Sequence, residues 1–102
     1  MRKVITIDGA SFRTLEEFFE TIGSTLIPGR KWGRNLDAFN DILRGGFGTP
    51  DEGFTLRWIN AAISRQRLGE STFNLLVDII RDHGTGGLQF EDHVELELRE
   101  NE

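Results

Sequence analysis

Cysteine is absent from the 102 residues, which excludes disulfides, thiolate nucleophiles and cysteine-ligated zinc. Histidine occurs twice, at His83 and His93, and no H-x-x-x-H pair exists for a helical zinc site. No apolar run approaches the roughly 20 residues of a membrane span. The opening MRKVITIDG reads as a strand and lacks the apolar core of a signal peptide. These absences set the default expectation of a cytoplasmic protein with no membrane contact, no metal and no cofactor. Basic residues are also in deficit. Twelve Lys and Arg against 17 Asp and Glu leave a net charge of −5. Direct nucleic-acid binding is disfavoured, because phosphate contacts are driven by Lys and Arg displacing counterions. A basic protein suits such a surface better, through steering and complementary potential.

What is present is enough for one modest core. Hydrophobic residues make up 37% of the chain and include eight Phe and two Trp. Residues 1–102 are expected to form a single, monomeric domain. RKVITI, residues 2–7, is β-branched and bounded by Asp8-Gly9, a strand followed by a turn. Thr14, with Glu16 and Glu17 behind it, caps a helix to Leu26 whose Leu15, Phe18, Phe19, Ile22 and Leu26 recur at helical spacing. Asn35 caps a second helix with the apolar stripe Leu36, Phe39 and Leu43 and Ile42 beside it, stopped by Gly45-Gly46. GFGTPDEG, residues 46–53, has the composition of a loop, and FTLRWI, residues 54–59, that of a strand. Asn60 starts a short helix that Leu68-Gly69 breaks. Ser71 is expected to cap a longer helix with Leu75, Leu76, Ile79 and Ile80 inward, ending near His83-Gly84. HVELELRE, residues 93–100, alternates and closes the chain as a strand with one wet face. The order β-α-α-β-α-α-β places helical crossovers between strands, so three strands should pair parallel in an α/β domain with about four helices.

Catalytic constellations are hard to assemble from these residues. His83 falls at a helix C-terminus, where a cation suits the dipole, and His93 sits in the acidic run EDHVE, a solvated strand entrance. Ser11, Ser24, Ser64 and Ser71 lack nucleophile-elbow surroundings. GGFG and GTGG are not phosphate loops, since neither follows the G-x-x-x-x-G-K pattern or links a strand directly to a helix. A hydrolase using Asp37, Asp41 and His83 is the weakest reading, because two acids on one helical turn project the same way and do not flank a substrate.

The stretch WGRNLDAFNDILRGG, residues 32–46, poses a different question. Asp37 and Asp41 lie one helical turn apart, with Arg34 and Arg44 on either side. Like charges at this spacing destabilise an isolated helix by roughly 0.2–0.5 kcal/mol. One explanation is a solvated face on which Arg34 and Arg44 pair with the acids. The other is that the acids serve a partner. Trp32 fits either picture, as an exposed aromatic at a binding surface or as a staple packed on Phe39 or Leu36.

At this stretch the chain resembles the barstar family, intracellular protein inhibitors of the ribonuclease barnase. The family pattern of an aromatic followed by Gly-x-Asn-Leu-Asp-Ala-Leu-x-Asp is met by Trp32-Gly33-Arg34-Asn35-Leu36-Asp37-Ala38-Phe39-Asn40-Asp41. Leu56-Arg57-Trp58 and Ile80-Arg81-Asp82 are further, weaker matches. The resemblance implies an inhibitor that plugs a basic secreted ribonuclease or related toxin, not an enzyme. It implies Asp41 as the central phosphate mimic and Asp37 as its neighbour. Asn35 and Gly33 would give loop contacts, Trp32 the aromatic contact, and Arg44, Gly45 and Gly46 the far end of the face. Asp82 would be a peripheral acid. The chain departs from the pattern at Lys31, Asn40 and Gly46, where the family has aromatics, and at Arg44, where it has a small polar residue. A barstar-like module that docks another basic protein without inhibiting a nuclease is the alternative function.

Overall fold

The structure is a computed structural model that describes residues 3–45, 48–50 and 52–101. The elements run β1 (Lys3–Asp8), α1 (Leu15–Leu26), α2 (Leu36–Arg44), β2 (Phe54–Ile59), α3 (Ala61–Leu68), α4 (Glu70–Asp82), a 3-10 turn (Phe90–Asp92) and β3 (Val94–Leu98). The strands form one sheet in the order β1-β2-β3, and both pairings are parallel. This is the α/β domain with a three-stranded parallel sheet and four helices that the alternation of strand and helix patterns predicts.

The register explains why the sheet has two different faces. Ile5 lies opposite Leu56, and Leu56 opposite Leu96; Ile7 lies opposite Trp58, and Trp58 opposite Leu98. These residues, with Phe54 and Val94, make the inner face, most of it fully buried. Alternate residues make the other face, where Val4 is 44% exposed and Arg57 pairs with Glu97 at 3.0 Å. Arg99 joins the same Glu97 oxygen at 2.6 Å. Those two guanidinium groups, Arg57 first, hold the Glu97 carboxyl below its usual range.

On the inner face the core is aromatic. Trp58 is fully buried, with Phe73 at 5.1 Å, Phe18 at 5.4 Å and Phe12 at 6.0 Å between ring centroids. Its indole N–H donates to Ser64 Oγ at 3.0 Å, and that hydroxyl donates to the Gly9 carbonyl at 3.1 Å. The buried polar atoms of the α3 junction are thereby satisfied, as a dry core requires. Gly53 adopts φ +88°, and a Cβ there would run into the His93 carbonyl, so β2 can begin beside β3 only with glycine at this point.

Three expectations need correcting. Helix α4 starts at Glu70 with Gly69 as its N-cap, so Ser71 lies inside the first turn and does not cap it. Gly69 at φ 88°, ψ 150° turns the chain so sharply that the helix begins at the next residue. The buried stripe of α4 is Phe73, Leu76, Val77 and Ile80, while Leu75 is 46% exposed. Those buried residues recur at three- and four-residue steps, so of the expected inward set Leu76 and Ile80 are buried, Ile79 is half-buried and Leu75 faces solvent. β3 covers only Val94–Leu98, because His93 sits in the left-handed region at φ 56° and ends the preceding 3-10 turn. Arg2 and Gly46 lie outside the described residues.

Candidate functional site

Helix α2 is nine residues long, too short to be stable alone in water. Its position is therefore set by what it packs on. Phe39, Ile42 and Leu43 are buried at 0–2% exposure. The Phe39 ring meets Phe18 of α1 edge-on at 5.4 Å and lies 6.4 Å from Phe19. Its start is fixed by Asn35, whose Oδ1 accepts the Ala38 N–H at 2.8 Å. Its end is fixed by Gly45 at φ 99°, ψ −179°, a region open essentially to glycine alone.

With that stripe buried, Asp37 and Asp41 point outward and both are exposed. Among the described residues, none of the ion pairs involves Asp37, Asp41, Arg34 or Arg44. The intramolecular pairing that would make a bland solvated face is thus not formed. Arg44 lies in the last turn, where a cation suits the helix dipole.

The loop entering α2 is shaped rather than slack. Arg34 holds φ 52°, a left-handed conformation that costs a non-glycine residue roughly 1–2 kcal/mol. Gly33 is exposed, and a Cβ there would press on Asn35 and Ala38 at 3.1–3.2 Å. Trp32 is half-buried. Its ring meets Phe19 of α1 edge-on at 5.6 Å, and its indole nitrogen lies against Gly23. It packs on α1, and its remaining surface lines a groove with Glu20, Arg30 and Arg34.

At the other end of α2 the sequence reading missed a polar bridge. Asn40 is half-buried. Its Oδ1 lies 2.7 Å from His83 Nε2, and His83 Nδ1 lies 2.6 Å from Asp92 Oδ2. His83 caps the C-terminus of α4 and is completely buried, so the acid-bearing helix, the end of α4 and the 3-10 turn are joined through one imidazole. With no exposed surface, His83 has no path to a substrate on the outside of α2, which removes the proposed hydrolase trio. Asp92 also lines a cleft of ≈ 210 Å³ with Arg44, Gly45, Thr49 and Glu91 at the α2 C-terminus. Asn40 stands at the position where the resemblance implies an aromatic.

Asp82 turns toward its own loop. Its Oδ1 accepts the Leu88 N–H and its Oδ2 the Gln89 Nε2–H, each at 2.9 Å. These bonds, that from Gln89 foremost, hold the carboxyl below its usual value. His93 is exposed at the mouth of β3, as its acidic surroundings suggest. Among the described residues no group of His, Asp and Glu is placed to hold a metal ion, and no helix is long and apolar enough to cross a membrane.

The fold and this face define a class, a small α/β domain that displays acids on a short braced helix. The family described as Barstar (barnase inhibitor) matches residues 2–97, essentially the whole chain. The chain belongs to the barstar family. No curated protein matches it.

Proposed function

We propose that this chain is a cytoplasmic inhibitor, or immunity protein, that binds a basic ribonuclease and blocks its active site. Asp41 and Asp37 take the place of RNA phosphates among the enzyme's cationic side chains. The observation that carries the reading is the pair of exposed acids with no ion-pair partner among the described residues, on a helix whose other stripe is buried. A ribonuclease must keep a cationic cleft for phosphate, and carboxylates fixed on a helix can fill it without being cleaved. Charge-assisted bonds to guanidinium groups are short, strong and often bidentate. Because α2 is held before binding, little backbone freedom remains to be lost on association.

In sequence Trp32, Gly33 and Asn35 precede the acids and Arg44, Gly45 and Gly46 follow them as further contacts, with Asp82 peripheral. The test is titration of the protein into a panel of small secreted ribonucleases, barnase and any nuclease encoded beside this chain included. Stoichiometric loss of RNA cleavage is expected for at least one. Full activity at saturating protein across the panel refutes the reading.

One observation favours a second reading, in which the module docks a different basic protein. Asn40, at a position where the resemblance implies an aromatic contact, is bonded inward to His83, so one expected contact is missing from the face. Capture of a non-nuclease basic partner, lost on the double substitution Asp37→Ala and Asp41→Ala, supports it.

A further inference from the structure

Among the described residues twenty apolar side chains are buried in this core, whereas four large ones are exposed, Val4, Leu75, Leu88 and Phe90. Two of the four lie together, at the turn after α4. Leu88 is 90% exposed and Phe90 57%. A single exposed leucine needs no explanation. A neighbouring pair on a braced loop does, because leaving them in water forgoes burial that an ordinary loop sequence would not offer.

The loop is built to hold them out. Asp82 accepts the Leu88 N–H and the Gln89 side chain, and the Asp82 carbonyl accepts the Gln89 N–H at 2.8 Å. Gly87 N–H closes the turn onto the Gly84 carbonyl at 2.9 Å. The tip is also tied to α2. The Asn40–His83–Asp92 bridge joins the segment directly after Phe90 to the residue directly before Asp41. Glu91 and Arg44 line one cleft, which places the two elements side by side. Exposed Glu91 follows Phe90 at once, so the apolar pair is edged by an acid and suits a partner that is basic.

We propose that Leu88 and Phe90 form an apolar second contact beside α2, which packs on the uncharged rim of the ribonuclease's cationic cleft. This rests on the inhibitor reading above. The acids of α2 supply steering and charge pairing, which a salt solution weakens. The apolar tip supplies contact that salt does not screen, and it distinguishes one basic cleft from another by the shape of its rim.

The test measures inhibition of the panel ribonuclease by Leu88→Ser, by the double substitution Leu88→Ser and Phe90→Ser, by Asp41→Ala, and by Leu75→Ser as an exposed apolar control on α4, at low and high salt. Leu88→Ser is expected to weaken binding about tenfold, or about 1.4 kcal/mol. The double substitution should weaken it further, with a penalty that persists at high salt, while the penalty of Asp41→Ala shrinks. Leu75→Ser should bind as the unsubstituted protein does. Leu88 is so exposed that its substitution leaves the melting temperature unchanged, so a folding defect cannot mimic the loss. Tight inhibition that Asp41→Ala removes and the Leu88 and Phe90 substitutions leave intact overturns this proposal alone. Absence of inhibition across the panel overturns the inhibitor reading and this one with it.

Discussion

Replacing Asp41 with alanine should make the free protein more stable and the inhibitor worse. Asp41 is exposed, sits past the first turn of α2 and makes no ion pair among the described residues. Its removal relieves the repulsion with Asp37, about 0.2–0.5 kcal/mol. It also exchanges a poor helix former for the best one, which adds up to about 0.7 kcal/mol. Together these give roughly 0.5–1 kcal/mol, or a rise of about 3–6 °C in melting temperature for a domain of this size. Truncating one partner of a buried, hydrogen-bonded charge pair costs a complex about 2–5 kcal/mol, so inhibition should weaken by roughly 30- to several-thousand-fold. Asp37→Ala should weaken inhibition with little change in stability. Asp37 lies in the first turn, where the dipole contributes about 0.3–1 kcal/mol and offsets the relieved repulsion. Differential scanning calorimetry of the free variants and an RNA-cleavage titration separate the two quantities. If Asp41→Ala melts lower than the unsubstituted protein, or inhibits as well as it, the argument that the acid serves a partner at the expense of the helix is refuted.

Three further outcomes follow from the geometry. Arg34→Gly should stabilise the free protein by up to about 1 kcal/mol in urea denaturation, because relief of a left-handed conformation exceeds the added freedom of the unfolded chain. His83→Ala should destabilise by about 2–4 kcal/mol, since it leaves a cavity and strands Asn40 and Asp92. It should also broaden the amide resonances of α2 in a nitrogen–proton spectrum. Asp82 and Asp8 both have carboxyls held low, Asp82 by Gln89 and Leu88, Asp8 by Asn60 and then Ala10. A depressed folded value contributes stability that is present above the unfolded pKa of about 3.9 and is lost as pH falls through the folded one. Protection of the Leu88 amide from hydrogen exchange should therefore fade below about pH 4, and Asp82→Asn should blunt that dependence.

Most of the fold was legible because the elements carry their own punctuation. Thr14 caps α1 by accepting the Glu17 N–H at 3.1 Å, and Asn35 caps α2 in the same way. Strand β2 matches FTLRWI residue for residue, since Phe54, Leu56 and Trp58 alternate with less apolar neighbours. The start of α4 was less legible. A serine looks like a cap wherever it stands, and only the φ of Gly69 reveals that the helix has already begun. The acids of α2 could be read directly, because their spacing places them on one stripe and the buried stripe has its own apolar signature. The Asn40–His83–Asp92 bridge joins residues 43 and 9 positions apart, and no local pattern encodes such a contact. The outward placement of Leu88 and Phe90 depends in turn on where Asp82 spends its carboxylate.

The bridge also bears on why so short a helix can serve as a recognition surface. α2 packs on α4 and, through Phe39, on the rings of α1. Apolar contacts hold a helix down but are non-directional, and alone they permit it to roll about its axis. A roll of α2 by one residue would carry Asp37 and Asp41 together about 100° around the axis and off the outer face. Asn40, adjacent to Asp41, has a side chain that meets a directional partner, the fully buried His83, at 2.7 Å. A hydrogen bond there weakens steeply with misalignment, so it fixes the roll that packing leaves free. The acids are then presented in one orientation before any partner arrives. The asparagine that removes an aromatic from the binding face supplies the directional contact that aims the aspartate beside it.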